Sequence, residues 1–326
     1  MKPASGSTRI RISPRAGAWD YGDFPYALEP LIMPPTGHAR AFSGMPEVSV
    51  ERCATDLVLR ELAELAGGLH PVDRVSDALE SARASSVDQL FWFRWITGHQ
   101  VTFLIWHLMG RLLSATPAGG VPSGASLVKL EAYVYGYCAM LLYCGSCPRD
   151  LYDSLIRPRM FLQHRAFSGT WAPDFAPVRG LFRGRGLRAK GREAAELSRA
   201  VEVNQAVHEG IAARLVPSGR SLLQQSMTEV PVRPSERTAV IYDNFFLTLR
   251  ARVGDEGVTA QLLHRLRAVA TDLAANGLHP LGDDLEDRPE ELLRAEVLRC
   301  ESRIGHLLHQ VGKAAAGHAH ENRLHA

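Results

Sequence analysis

The sequence predicts an all-α protein, built as a bundle of long helices. Three observations carry this. After residue 50, apolar residues recur at spacings of three and four over most of the chain. No alternating apolar run is long enough to build a sheet. Proline and glycine cluster between the periodic stretches rather than inside them.

Residues 1–50 read as an irregular N-terminal arm, because Ser13-Pro14, Pro34-Pro35 and several glycines forbid long helices there. Thr55 to Ala66 carries Leu57, Leu59, Leu62 and Leu65 and is expected to be helical. A polar helix is expected from Asp73 to Ala84, then a long, strongly apolar one from Asp88 to Ser114. Thr116 to Ser126 is a Pro/Gly loop, Leu127 to Tyr143 a buried helix, and Pro148 suits the first turn of the next. Prolines and five glycines break the pattern over 167–191, and a long helix then runs from Arg192 to about Val216. Pro217-Ser218-Gly219 ends it. Three further helices are expected over 236–251, 255–276 and 288–313, followed by a polar, His-rich tail over 314–326. Residues 51–313 are thus expected to form a single helical domain.

Composition narrows the function classes. The chain has 326 residues, 46% hydrophobic and 22% charged, enough for a core and against disorder of the whole chain. Net charge is +2, from 37 basic and 35 acidic side chains, so no global field calls for nucleic acid or an anionic membrane. The longest uncharged stretch, Ala132 to Pro148, is 17 residues long and broken by Gly136 and Gly145, too short for a membrane span. Met1 to Met45 holds no apolar run of secretory-signal length. Five cysteines are too few for a disulfide scaffold, so a reducing, cytoplasmic location is expected.

Two histidines stand out. Trp95, His99, Phe103, Trp106 and Gly110 follow at spacings of three and four, which places His99 on an aromatic stripe facing inward. Leu197, Val201, Asn204, His208, Ile211 and Leu215 alternate spacings of four and three, which places His208 in a packing seam. A buried imidazole needs a partner. Each histidine is either a core residue bonded to a carbonyl or a metal ligand. A haem between helices asks for one protein ligand and an apolar slot.

Trp95-Ile96-Thr97-Gly98-His99-Gln100, continuing to Leu104 and Trp106, resembles the distal-histidine helix of the tryptophan 2,3-dioxygenase superfamily. Trp106 stands one place later than that family's tryptophan. His208-Glu209-Gly210-Ile211-Ala212-Ala213-Arg214 resembles its haem-ligand helix, with Arg214 six residues after the histidine. Ser168-Gly169, after an Arg-containing helix, resembles its substrate-binding Ser-Gly pair. The chain departs from the dioxygenases after the ligand helix, where Pro217-Ser218-Gly219-Arg220-Ser221 replaces their Gly-Thr-Gly-Gly loop. The whole is more similar to the haem-dependent L-tyrosine hydroxylases of natural-product pathways, which share that haem fold.

The resemblance implies a haem b enzyme that hydroxylates L-tyrosine at the 3-position with hydrogen peroxide, giving L-DOPA. His208 would be the axial iron ligand and His99 the distal acid–base. Trp95, Phe103 and Trp106 would line the haem slot, and Arg214 would serve a propionate or a structural ion pair. Arg157, before Arg159 in preference, would hold the substrate carboxylate beside Ser168 and Gly169, and Ser218 and Ser221 would hold its amino group. A homodimer without nucleic-acid or membrane partners is expected. An indole or tryptophan oxygenase on the same scaffold, and a non-catalytic helical interaction protein, are the alternatives.

Two other signals carry less. Cys144-Gly-Ser-Cys147 lacks a second pair for zinc, and no histidine follows Cys147 as c-type haem attachment requires. The basic run from Arg179 to Arg192 reads as a solvated loop, with Phe182 as its one interleaved aromatic residue.

Overall fold

The computed structural model describes residues 10–12, 26–36, 48–50, 55–67, 86–116, 120–184, 189–216, 222, 233–282 and 288–324. The expected helix over 73–84 lies outside these residues. Nine helices organise the described part: α1 Thr55–Gly67, α2 Val87–Ser114, α3 Gly124–Gly145, α4 Arg157–Gln163, α5 Arg192–Leu215, α6 Glu236–Phe245, α7 Asp255–Asn276, α8 Ala295–Ser302 and α9 Ile304–Leu324. The all-α bundle expected from the periodicity is the observed architecture. α3 lies between α2 and α5 and packs on both, while α7 packs on α2 and, with α1 and α9, completes the bundle.

Local chemistry sets the helix ends. Ser86 caps α2, its hydroxyl accepting from the Gln89 amide at 3.1 Å. Ser235 caps α6 in a reciprocal box with Thr238. Between α3 and α4 the chain passes through a short helix, Arg149–Leu151, and a π-helical turn, Tyr152–Ile156.

Three expectations need correction. The helix over 236–251 stops at Phe245, and Thr248–Arg250 instead forms a strand, β4, parallel to β2, Leu31–Met33. Two more short strands, β1 Ile10–Ile12 and β3 Val48–Val50, also pair in parallel. The helix over 288–313 is three pieces, a 3-10 turn at Glu290–Leu293 followed by α8 and α9, and α9 continues through the expected tail to Leu324. The N-terminal arm is not wholly irregular or peripheral. Tyr26, Leu31, Ile32 and Met33 are buried: β4 pairs with the backbone of the strand, and α7 supplies side chains to Ile32 and Tyr26. Gln261 accepts from the Ile32 amide at 2.8 Å and donates to the Ile32 carbonyl at 2.9 Å.

A buried polar knot ties these layers together. Arg94 of α2 and Asp272 of α7 are both fully buried and form a 2.8 Å ion pair. Tyr143 and Tyr26 donate to the same carboxylate at 2.7 and 3.0 Å. The remaining Arg94 donors reach Ser146 and the carbonyls of Gly277 and Leu278. All three guanidinium nitrogens donate, which meets the condition for tolerating such a charge in the core.

Candidate functional site

α2 positions the site. Trp95, His99 and Phe103 follow at steps of four, so their rings share one face. The Trp95 and His99 centroids are 4.6 Å apart, and those of His99 and Phe103 are 6.4 Å apart. Phe246, from the turn after α6, stacks on the imidazole at 4.5 Å and 19°. The neighbouring Gln100 fixes that turn: its amide donates to the Phe246 carbonyl at 2.9 Å and to the Glu29 carbonyl at 3.0 Å. Arg265 in turn donates to the Gln100 side-chain oxygen, Oε1, at 2.9 Å. Leu247 has a φ of 52°, a left-handed conformation that is costly for a side chain with a Cβ. The Gln100 and Arg265 bonds hold the turn in place despite that strain.

The His99 ring has two different nitrogens. Nδ1 lies 2.6 Å from the Trp95 carbonyl and so carries the proton and donates it. Nε2 then bears the lone pair and bonds no described residue. Burial lowers the His99 pKa to about 4, with the Trp95 carbonyl opposing. At neutral pH the group is an uncharged imidazole of fixed tautomer. Such a group can accept a proton or meet a metal through Nε2. Among the described residues no three His, Cys, Asp or Glu side chains gather into a metal site. A haem brings its own equatorial nitrogens, so of this chain it would ask one ring nitrogen and apolar neighbours, which His99 and its aromatic stripe offer.

Several expected residues gather here. The Tyr152 ring is 5.7 Å from Trp95, and half-buried Arg157 hydrogen-bonds Tyr152. Burial still raises the Tyr152 pKa. Arg159 is exposed; it donates to the Leu155 carbonyl at 2.8 Å and lies over Trp92 at 5.0 Å. Ser168 caps the turn Gly169–Trp171 and is spoken for by Thr170, while Gly169 is exposed. Phe167, beside Ser168, packs on Phe245 and Phe246.

Others do not join them. Trp106 is buried between Tyr137 and Phe175 and belongs to the core rather than to an open slot. His208 is exposed, not central to a seam; α5 buries Asn204 and Val207 instead. Its surroundings are nonetheless dense enough that desolvation lowers its pKa, with Glu209 opposing. The last turn of α3 lies between the two histidines. Cys144 is 3.7 Å from His99 Nδ1, and a Cβ on the next residue, Gly145, would overlap Ile211 of α5. Arg214 is half-buried and close enough to Cys147 to lower its thiol pKa against burial. Ser218 and Ser221 lie outside the described residues. Burial pushes Cys147 up to about 12 and Cys144 higher still, so neither is a thiolate nucleophile.

Sequence reasoning missed Phe246, Tyr152 and the positioning role of Gln100. A histidine–glutamine pair was visible, but nothing local says that the glutamine would grip a turn 146 residues away.

Residues 48–196 match the family described as SfmD 3-methyl-L-tyrosine peroxygenase. The matched stretch holds His99, its aromatic neighbours on α2, Arg157, Arg159 and Ser168, and it ends before His208. This likeness supports a peroxygenase, an oxidoreductase that takes its oxygen from peroxide. No curated protein matches the chain. No helix among the described residues is long and apolar enough to cross a membrane.

Proposed function

We propose that the protein is a haem-dependent peroxygenase that hydroxylates the ring of tyrosine or a substituted tyrosine in natural-product biosynthesis. The observation that carries this reading is His99, neutral, fixed in tautomer by the Trp95 carbonyl, and with Nε2 left for proton exchange. When bound, haem supplies the iron that activates peroxide. The chain's own contribution is to handle protons, hold the substrate and exclude water. His99 Nε2 takes the peroxide proton and returns it to the departing oxygen. Phe246, Trp95 and Phe103 keep bulk water from that exchange. Arg157, already turned toward Tyr152, receives the substrate carboxylate.

The axial ligand is assigned to His208 on resemblance alone, and its exposed place across α3 adds no support. The absorption spectrum of the purified protein tests the whole reading. A Soret band is expected, with peroxide-driven hydroxylation of tyrosine and 3-methyltyrosine assayed beside tryptophan. His208→Ala is expected to lose the band and His99→Ala to keep it. The reverse result would make His99 the ligand. Protein that purifies without haem and cannot be loaded with it would end the proposal.

A further inference from the structure

Beyond His99, α2 runs two more turns to His107 and Gly110, which wall a cleft of about 740 Å³. The opposite walls come from the segment around Trp171 to Pro177, from Arg179 and from α6. Phe103, Trp106 and Phe175 stand in sequence, at 5.9 and 4.9 Å, between His99 and this cleft. Its volume suits a small organic molecule. Much of the lining is apolar, with Pro173, Pro177 and Val240 among its residues.

The charges are not balanced locally. Arg250 is gripped by both Asp174 and Asp243, at 2.8 and 2.7 Å. Two carboxylates against one guanidinium leave a net negative charge on that side. Arg179, also on the cleft wall, donates to the Thr170 carbonyl at 3.3 Å and lies over Phe175, but it meets no carboxylate among the described residues. Its Nε–H is buried without an acceptor. The Trp171 indole N–H and the His107 Nε2 are likewise dry and unmatched. Trp171 as a whole is only 2% exposed. Buried polar atoms without partners are destabilising, and here three of them belong to the walls of one cleft.

We infer that this cleft is a second binding site, separate from the His99 pocket, for an aromatic α-amino acid in its zwitterionic form. The ligand carboxylate pairs with Arg179. The ammonium is held on the Asp174–Asp243 side, and the ring lies along Pro173, Pro177 and Val240. Neutral apolar ligands would leave Arg179 unanswered, and a simple anion would meet the carboxylates. Occupancy does not depend on a haem, so this inference stands or falls apart from the proposed reaction.

Fluorine NMR of fluorotyrosine added to the purified full chain tests it. A bound resonance is expected in the wild type. Arg179→Ala should weaken that binding at least tenfold, the usual worth of a charge-assisted carboxylate contact. Val240→Trp, at an exposed position where folding is not at stake, should block it. His99→Ala should leave it in place. Tyramine and N-acetyltyrosine should compete at least tenfold more weakly than tyrosine. The inference is overturned if no bound resonance appears at millimolar ligand, or if both cleft variants bind normally. It is equally overturned if His99→Ala removes the signal, or if either competitor matches tyrosine.

Discussion

The ring of Phe246 lies nearly parallel to the imidazole of His99, 4.5 Å between centroids and 19° between planes. One face of the only ionisable group on the aromatic stripe is thereby sealed from water. That seal adds to the burial that lowers the pKa of His99, in which desolvation is the leading contribution.

Phe246→Ala should therefore raise the His99 pKa from about 4 toward the ordinary value of 6.5. A titration of the imidazole by NMR measures this directly. Phe246 is 1% exposed, so the same substitution should cost about 3–5 kcal/mol of stability. An unchanged pKa in a folded variant would mean that the stack does not seal the site.

His99 also makes stability depend on pH. Its folded pKa, about 4, lies below the unfolded 6.5, so the unfolded chain binds the extra proton. Stability contributed by neutral His99 is complete above pH 6.5 and falls as pH drops from there to about 4. The loss is at most about 3 kcal/mol. His99→Gln should flatten that part of a denaturation-midpoint profile and leave the rest unchanged.

Activity should respond to the same group. His99→Ala is expected to lower peroxide-driven turnover by about 100- to 10,000-fold, the usual worth of general acid–base help. Stopped-flow kinetics at saturating substrate measure it. A variant within twofold of wild type would remove His99 from proton transfer.

Gly98 lies against Cys144, where a Cβ would overlap the sulfur. Gly98→Ala should cost about 1–3 kcal/mol through overpacking. Cys144→Ala in the same chain should recover most of that loss, because it removes the obstructing atom. Thermal melts of the two single variants and the double variant show whether the costs are coupled.

Arg94→Met should be severe, about 3–5 kcal/mol, because it strands the buried Asp272 carboxylate. Guanidinium unfolding of Arg94→Met, Asp272→Leu and the double variant should give a double loss smaller than the sum of the singles.

The helices were legible because their causes are local. α7 was expected over 255–276 and is observed over Asp255–Asn276; α2 and α5 differ from expectation by one residue at one end. Local periodicity also gave His99 its aromatic face. It failed for His208 for a definable reason. α5 packs on α3 along one side and on the Glu290–Leu293 turn and α8 along another, so its buried face is broad. Val203, Val207 and Gly210 widen that face away from His208, and spacing alone does not locate its centre. β4 was illegible because its partner, Leu31–Met33, is more than two hundred residues away. The trap set by Gln100 on the Phe246 turn was illegible on the same ground.

The burial of Tyr26 and of Leu31–Met33 against α7 has a kinetic consequence. Tyr26 waits for Asp272, 246 residues later, and Ile32 waits for Gln261, 229 residues later. During synthesis this apolar strip leaves the ribosome more than two hundred residues before its partners. Until then its backbone amides and the side chains of Leu31 and Met33 have no native cover. Contacts of such long range carry a large loop-closure entropy and slow the rate-limiting search. The last native step at this edge thus waits for α7, and until α7 docks the chain must stay soluble with an uncovered strand.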